Sequence, residues 1–211
     1  MIRLQKIASD ISEKREFVYS VPVTPKIKGE TPIYRKVSHK NGLLRIPSNI
    51  TSLADIWHQT LSQYPNNKLV EDLTAVEVDK EVKKVGSWLT KNNHKTMFMY
   101  CKNSPRWTFV DIACWNYGLL NVPLYDTLGE EAFHHILKIT EGTLLFTTSD
   151  LFTNLINYLS KSKANLKEVI FFDKVGEKEV KAFADLGVKV VPFEKLLIQP
   201  VLPQPKLSLD T

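Results

Sequence analysis

Residues 96–129 read TMFMYCKNSPRWTFVDIACWNYGLLNVPLYDTLG, and this stretch decides the fold. It contains the short apolar run TMFMYC, a helix-like segment from Ser104-Pro105 to Gly118, and a second apolar run, NVPLY. Proline suits the first turn of a helix, and a preceding serine can accept one of the free amides there. Short apolar runs of this kind are typical of buried parallel strands. The stretch therefore predicts a strand, a helix and a second strand.

The same alternation continues towards the C-terminus. Five strands are predicted to alternate with four helices: strands at 96–101, 121–125, 143–149, 168–173 and 188–193, and helices within 104–118, 130–140, 151–162 and 177–187. Alternation of this kind predicts an α/β fold, with a mostly parallel sheet, right-handed crossovers and helices on both faces. It does not fix the order of the strands in the sheet.

Two further helices are predicted before the first strand. One runs from Leu53 to Leu61, with Thr51 or Ser52 as its cap, and the other carries an apolar stripe from Val78 to Leu89. We therefore predict an α/β domain at 51–199. Residues 1–50, which contain four prolines, are predicted to be an extended basic arm, and residues 200–211 a linker tail.

The positive charge lies in the predicted arm. Residues 1–50 hold ten Lys and Arg against four Asp and Glu, whereas the rest of the chain holds eighteen against nineteen. A basic arm can bind nucleic acid or an anionic membrane, but scattered charges also suit an arm that wraps its own protein, which is the interpretation we favour.

Cys101 and Cys114 form no CxxC pair, which favours a reducing compartment. No apolar run is long enough to span a membrane.

The carboxyl ends of the predicted strands offer no complete catalytic motif. The closest to a phosphate loop is DTLG at 126–129, which has one glycine and no lysine. Its amides could face an anion, but Asp126 and Thr127 are predicted instead to cap the next helix, with Gly129 relaxing the turn. Ser104 is likewise predicted to be a cap and not a nucleophile, and Asp150 is predicted to cap the helix that follows the third strand.

Other reactive side chains favour structural roles. His134 and His135 are adjacent, so in a helix they point about 100° apart and cannot jointly face one metal. Both cysteines are expected to be core thiols. The four aromatics of the helix after the first strand could line an acyl pocket, although a packed core is favoured: Trp107, Phe109, Trp115 and Tyr117. We therefore expect no catalytic, cofactor-binding or metal-binding residue in the chain.

The segment NSPRWTFVDIACWNYGLLNVPLYDTLG (103–129) resembles the long-chain acyl-CoA synthetases of the adenylate-forming superfamily. That family carries a similar Asn-x-Pro-x-Trp, a helix with Ala-Cys, and Val-Pro-Leu-Tyr-Asp-Thr-Leu-Gly. Weaker similarity extends over roughly residues 30–211, including TPIYRKV at 31–37 and TSLADIWHQTLSQYPNNKLV at 51–70. The resemblance implies the N-terminal subdomain of the large domain of such an enzyme.

The resemblance also implies a reaction. The family uses ATP and Mg²⁺ to convert a fatty acid to an acyl-adenylate, which coenzyme A then attacks to give the thioester. Its phosphate loop ends in Pro-Lys-Gly, and neither this loop nor the later adenine, ribose and lysine motifs occur here. The tail at 206–211 is expected to stop where that loop would begin. The family also has a longer insert with a Tyr-x-Trp hairpin where residues 68–76 make a short link.

Two interpretations remain open. The chain is either an N-terminal fragment or truncated form of a long-chain fatty acid–CoA ligase, not competent for adenylation alone, or a non-catalytic α/β binding or assembly module derived from that family. In the first case its partners are a fatty acid, coenzyme A and the remainder of the synthetase. In the second case the partner is an assembly subunit. We expect no nucleic acid partner, and a cytoplasmic or peripherally membrane-associated protein.

Overall fold

The computed structural model describes residues 18–43, 47–162 and 164–207. Expectations for the start of the arm and for residues 208–211 lie outside the described residues. Contacts divide the chain into two units, Met1–Ser48 and Asn49–Thr211. In the first unit, strand β1 (Ser20–Pro22) pairs antiparallel with β2 (Tyr34–Lys36), and a 3₁₀ turn follows at Val37–His39. The described part of the arm thus contains a short hairpin.

The second unit is built on a five-stranded parallel sheet, which confirms the predicted fold class. The strands are β5 (Thr96–Tyr100), β6 (Leu120–Leu124), β7 (Leu144–Thr147), β8 (Glu168–Phe171) and β9 (Lys189–Pro192). Their order in the sheet is β6-β5-β7-β8-β9, and every neighbouring pair is parallel. The first strand of the sheet in sequence, β5, therefore lies between the second and the third.

Helices cover both faces of this sheet. They are α1 (Leu53–Gln63), α2 (Ala75–Lys91), α3 (Pro105–Tyr117), α4 (Glu130–Thr140), α5 (Phe152–Lys161), α6 (Glu177–Asp185) and the short α7 (Glu194–Leu197), and a 3₁₀ turn at Ser149–Leu151 precedes α5. Residues 68–76 were predicted to make a short link between α1 and α2, without a hairpin being recognised there. The link is instead a small antiparallel hairpin of β3 (Lys68–Val70) and β4 (Leu73–Thr74).

Each of the first three helices begins at a residue whose side chain caps it. Ser52 and Thr74 form capping boxes with Asp55 and Glu77, so that side chain and backbone satisfy each other at each helix start. Ser104 accepts the amide of Trp107 at 3.2 Å, which confirms its role as a cap. Gly118 ends α3 in the left-handed conformation, with φ +64°, that glycine adopts without strain.

The core consists of two clusters separated by the sheet. One cluster joins α1, α2, α3 and α7 to one face, through buried residues such as Trp57, Val85 and Val110. The other joins α4, α5 and α6 to the opposite face, through Phe133, Leu155 and Phe183. Period-two alternation along β5 explains the division, because Met97 and Met99 point to the first cluster while Phe98 and Tyr100 point to the second.

The residues after α7 run in an extended form along the second unit. The predicted linker tail makes hydrogen bonds to α2 and α3 through Leu202, and Gln204 accepts one from His58 of α1 at 3.3 Å. Within the residues that the structure describes, no helix is long and apolar enough to cross a membrane.

Candidate functional site at the carboxyl edge of the sheet

The strand order identifies the edge where a ligand would bind. From β5 the chain crosses by α3 to β6 on one side, and from β7 it crosses by α5 to β8 on the other side. In open parallel sheets, ligands bind at the carboxyl ends of the strands, where the crossovers diverge in this way. Here that crevice lies between the ends of β5 and β7.

An open cleft of about 480 Å³ lies at this edge, beside the end of β5. Its walls are mixed: Trp107 at the start of α3 forms one of them, while Lys102, Asn103 and Asp126 bring polar groups. The remaining lining residues are Met99, Cys101, Pro123, Leu124 and Tyr125. A cleft of this size has room for part of a small ligand that carries both apolar and polar groups.

The polar groups at the crevice bind one another. The ammonium of Lys102 lies 2.8 Å from a carboxylate oxygen of Asp150, so this ion pair bridges the loops that follow β5 and β7. The hydrogen bond and charge of Asp150 raise the pKa of Lys102, and the hydrogen bonds from Lys102 and Thr148 lower the pKa of Asp150. Both side chains are largely exposed, so the pair orders the loops more than it stabilises the fold.

Two further bridges continue along the edge. The amide of Ser149 donates to Asp173 at 2.9 Å and so joins the loops after β7 and β8, and the Ser149 hydroxyl donates to the same carboxylate. Arg106 donates to the carbonyl of Phe172 and lies 3.0 Å from the carboxylate of Glu194. Its guanidinium also covers the ring of Phe193 at 4.8 Å from the ring centre.

These pairings engage several of the polar side chains at the edge. The hydroxyls of Thr148 and Ser149 donate to carboxylates, and no described hydrogen bond links a hydroxyl or thiol here to a histidine base. Burial raises the pKa of Cys101 to about 12, so its thiol stays protonated at neutral pH. Among the described residues no group of three or more His, Cys, Asp or Glu could hold a metal ion.

Two predicted helix caps are wrong. The N-cap of α4 is Gly129, and no side chain caps this helix, so Asp126 and Thr127 lie in a turn before it. Asp150 was predicted to cap the helix after β7, but it lies inside the 3₁₀ turn and binds Lys102 and Thr148. In both cases the local sequence pattern fits a cap. At Asp150, however, the carboxylate accepts a hydrogen bond from Lys102, which lies 48 residues away in the sequence.

The histidines and the buried thiol have structural surroundings. His134 donates from Nε2 to the carbonyl of Tyr158 at 2.8 Å, and His135 is exposed on another side of α4. Cys114 is fully buried beside the sulfur of Met97, which confirms a core thiol, and burial raises its pKa. Cys101 is only partly buried.

The structure divides the aromatics of α3 between the core and the cleft. Phe109 and Tyr117 are buried in the core, as predicted, and Trp115 packs against it, while Trp107 also lines the cleft. Lys102, Arg106 and Asp173, which hold the edge together, were not predicted. Their partners lie between 24 and 88 residues away, so no local pattern could identify them.

Comparison with known proteins agrees with this architecture. A family model described as AMP-binding enzyme matches residues 58–205. Long chain acyl-CoA synthetase 3 of Arabidopsis thaliana is 30% identical over 160 residues, which cover 68% of this chain and 24% of that protein. Long chain acyl-CoA synthetase 2 of the same plant is 26% identical over 179 residues, covering 75% and 26%.

Solved structures show the same fold at lower identity. The luciferase-like enzyme of the nonluminescent mealworm Zophobas morio superposes with a TM-score of 0.63 at 15% identity, over 80% of this chain and 40% of that one. The fold is thus that of the adenylation domains, an open α/β architecture. The chain belongs to the AMP-binding enzyme family. The resemblance to long-chain acyl-CoA synthetases is confirmed, and the chain spans only about a quarter of the length of the curated relatives it matches.

Proposed function

We propose that this chain is the N-terminal portion of a long-chain fatty acid–CoA ligase and serves the conversion of a fatty acid to its acyl-CoA with ATP, Mg²⁺ and coenzyme A. The observation that carries the proposal is the similarity to long chain acyl-CoA synthetases over about three quarters of the chain. The apolar wall that Trp107 and Met99 give to the cleft beside β5 is consistent with it, because a fatty acid is mostly hydrocarbon. We place the protein in the cytoplasm or peripherally on a membrane.

We further propose that residues 1–211 do not form the adenylate alone. Phosphoryl chemistry needs cationic donors and a metal to stabilise charge in the transition state. The sequence has no glycine-rich phosphate loop, and two cations near the strand ends, Lys102 and Arg106, are paired with carboxylates. Catalysis would then depend on residues that this sequence does not contain.

The test is ATP–pyrophosphate exchange with palmitate and Mg²⁺. Residues 1–211 alone should give no exchange above background, whereas the same chain extended by the remaining three quarters of a relative should restore it. Exchange by residues 1–211 alone would contradict the second proposal. Failure of every extended chain with any fatty acid would contradict the first.

A non-catalytic binding or assembly module is the alternative. It is supported by the short β3–β4 hairpin, which stands where the family has a longer insert. Under this alternative, residues 1–211 should be a stable monomer or a subunit of an isolated complex. Sedimentation of the chain across a hundredfold range of concentration distinguishes the ligase portion from the non-catalytic module. An incomplete catalytic domain should self-associate as the concentration rises, because it exposes an apolar face, whereas the module should not.

A further inference from the structure

The segment Val201–Leu207, which we call the strap, is held to the helices by its main chain. The amide of Leu202 donates to the hydroxyl oxygen of Ser87 at 2.7 Å, and the carbonyl of Leu202 accepts from the Tyr117 hydroxyl at 3.1 Å. Both polar groups of one strap residue are therefore bound by two side chains from two different helices. A linker that only passes over a surface needs no such pairing.

The two hydroxyls, which we call the latch, are themselves fixed in place. Ser87 donates to the carbonyl of Lys83 at 2.6 Å, and the Tyr117 oxygen lies 3.3 Å from the Ser87 oxygen. The single Tyr117 proton is shared between the carbonyls of Leu202 and Lys83, at 3.1 and 3.2 Å. Because the single Ser87 proton goes to Lys83, its lone pairs remain free to accept the strap amide. Gly86 allows this arrangement, since the Tyr117 ring occupies the space of a Cβ at that position.

The rest of the strap is preorganised but weakly packed. Pro203 and Pro205 restrict it to an extended form, so little chain entropy is lost on docking. Beyond the latch, Gln204 accepts from His58 of α1, and Leu207 contacts Gly118 at the end of α3. The amide nitrogen of Gln204 is buried without a hydrogen-bond partner among the described residues, which weakens the docked state.

We propose that the surface of α1, α2 and α3 that contacts the strap is a docking site for an extended, proline-containing segment, and that the strap is its ligand in the same chain. The latch recognises main-chain groups and not a particular side chain. The docked strap exchanges with a released state without unfolding of the helices. Release uncovers the latch.

Hydrogen exchange of the intact chain tests the proposal site by site. The Leu202 amide should exchange measurably faster than amides inside α2, because it opens with the strap, but slower than an unprotected amide. The double variant Ser87→Ala/Tyr117→Phe should speed its exchange about tenfold, in line with the loss of one or two hydrogen bonds. Ser160→Ala, which removes an exposed hydroxyl of α5, is the control and should change nothing at Leu202.

Two outcomes would overturn the docking site. Exchange of Leu202 as slow as that of α2 amides and unaffected by the double variant would mean that the strap is part of the core. Exchange as fast as in an unstructured peptide would mean that it does not dock. Thermal unfolding followed by circular dichroism shows whether each variant remains folded, and Tyr117→Phe alone provides a milder replacement.

A peptide supplied in trans gives an independent test. The synthetic peptide QPVLPQPKL, residues 199–207, in excess over the intact chain should compete with the strap and raise Leu202 exchange several-fold. The same peptide with an N-methyl group on its leucine at position 202 cannot donate to Ser87 and should have no effect. Equal effects of both peptides, or none from either, would contradict recognition through the latch.

Discussion

Gly86 of α2 lies against the ring of Tyr117 at the end of α3. A Cβ built on it would lie 2.2 Å from a ring carbon of Tyr117, far inside any contact distance. The position is buried in the middle of α2, where glycine lowers helix stability by roughly 0.5–1 kcal/mol relative to alanine. The sequence therefore keeps a poor helix former at this position because the partner ring needs the space.

We predict that Gly86→Ala destabilises the protein. The gain in helix propensity is smaller than the cost of overpacking, which is about 1–3 kcal/mol in a tight core, so a net loss of about 1–2 kcal/mol is expected. Urea denaturation measures it. Thr90→Ala, an exposed replacement in the same helix, is the control and should lie within about 0.5 kcal/mol of wild type. A Gly86→Ala variant as stable as wild type would show that Tyr117 moves freely.

His94 lies at the amino edge of the sheet, two residues before β5 begins. Its ring is 6% exposed, stacks on Trp88, and lies with Nε2 3.0 Å from the carboxylate of Glu168. Burial lowers the pKa of His94, although Glu168 opposes this effect, while Lys167 and Lys189 add to it. The unfolded chain therefore binds a proton near pH 6.5 that the folded protein takes up only at lower pH.

The contribution of neutral His94 to the free energy of unfolding should accordingly be fully present above about pH 6.5. It should be lost as the pH drops below that value towards the lowered pKa. In His94→Gln, this loss between pH 6.5 and the lowered pKa should disappear. His135→Gln, at an exposed position, should keep the wild-type profile. Urea denaturation at half-unit pH steps measures the free energy of unfolding. An unchanged pH profile in His94→Gln would contradict the assignment.

At the scale of elements, both edge strands of the sheet carry a proline on their outer side. The amide of Leu120 donates towards β5, to the carbonyl of Lys95, so alternation points the backbone nitrogen of Pro123 away from the sheet. The amide of Lys189 likewise donates to Lys167, which points the nitrogen of Pro192 outwards from β9. Proline has no N–H, so neither edge offers a donor at that place to a further strand.

Replacing these prolines should make the protein associate through its edges. We predict that Pro123→Val/Pro192→Val raises the fraction of dimers and larger species, because each replacement adds an outward donor to a β-prone position. Size-exclusion chromatography with light scattering measures the shift. Pro65→Val, outside the strands, is the control and should elute as wild type. Equal elution of all three proteins would show that the edges are protected by something other than proline.

The elements also show why some local predictions fail. Strands and helices follow from periodicity, and their predicted bounds lie within a few residues of those observed. The β3–β4 hairpin was missed because its turn places Glu71 at φ +51°, where glycine or asparagine would be the usual sign. Caps at Ser52 and Ser104 depend on neighbours in the sequence, whereas the ion pair of Asp150 depends on Lys102, which the fold brings near.

For the whole molecule, alternation of strands and helices was enough to predict the class of fold. It could not predict the strand order, because a right-handed crossover can place the next strand beside either of two neighbours. The bridges that form the carboxyl edge and the latch of the strap depend on that order and on contacts across more than eighty residues. The sequence therefore predicts the family and the scaffold but not the contents of the crevice.

The sheet joins two core clusters, and this arrangement predicts how the second unit unfolds. All four tryptophans lie on one face: Trp57 and Trp88 are in the first cluster, and Trp107 and Trp115 pack against it. Phe133 is fully buried in the cluster on the opposite face. If the shared strands couple the clusters, Phe133→Ala should destabilise both by about 3–5 kcal/mol, as large-to-small core replacements do.

Tryptophan fluorescence in urea should then report a defect on the face that contains no tryptophan. The midpoint of Phe133→Ala should fall and coincide with the midpoint from circular dichroism, with an unchanged slope. Ile139→Ala, an exposed replacement in the same helix, is the control and should leave the midpoint near that of wild type. A normal fluorescence midpoint together with an early loss of helical signal would mean that the faces unfold separately, because the central strands would then hold the tryptophan cluster without α4.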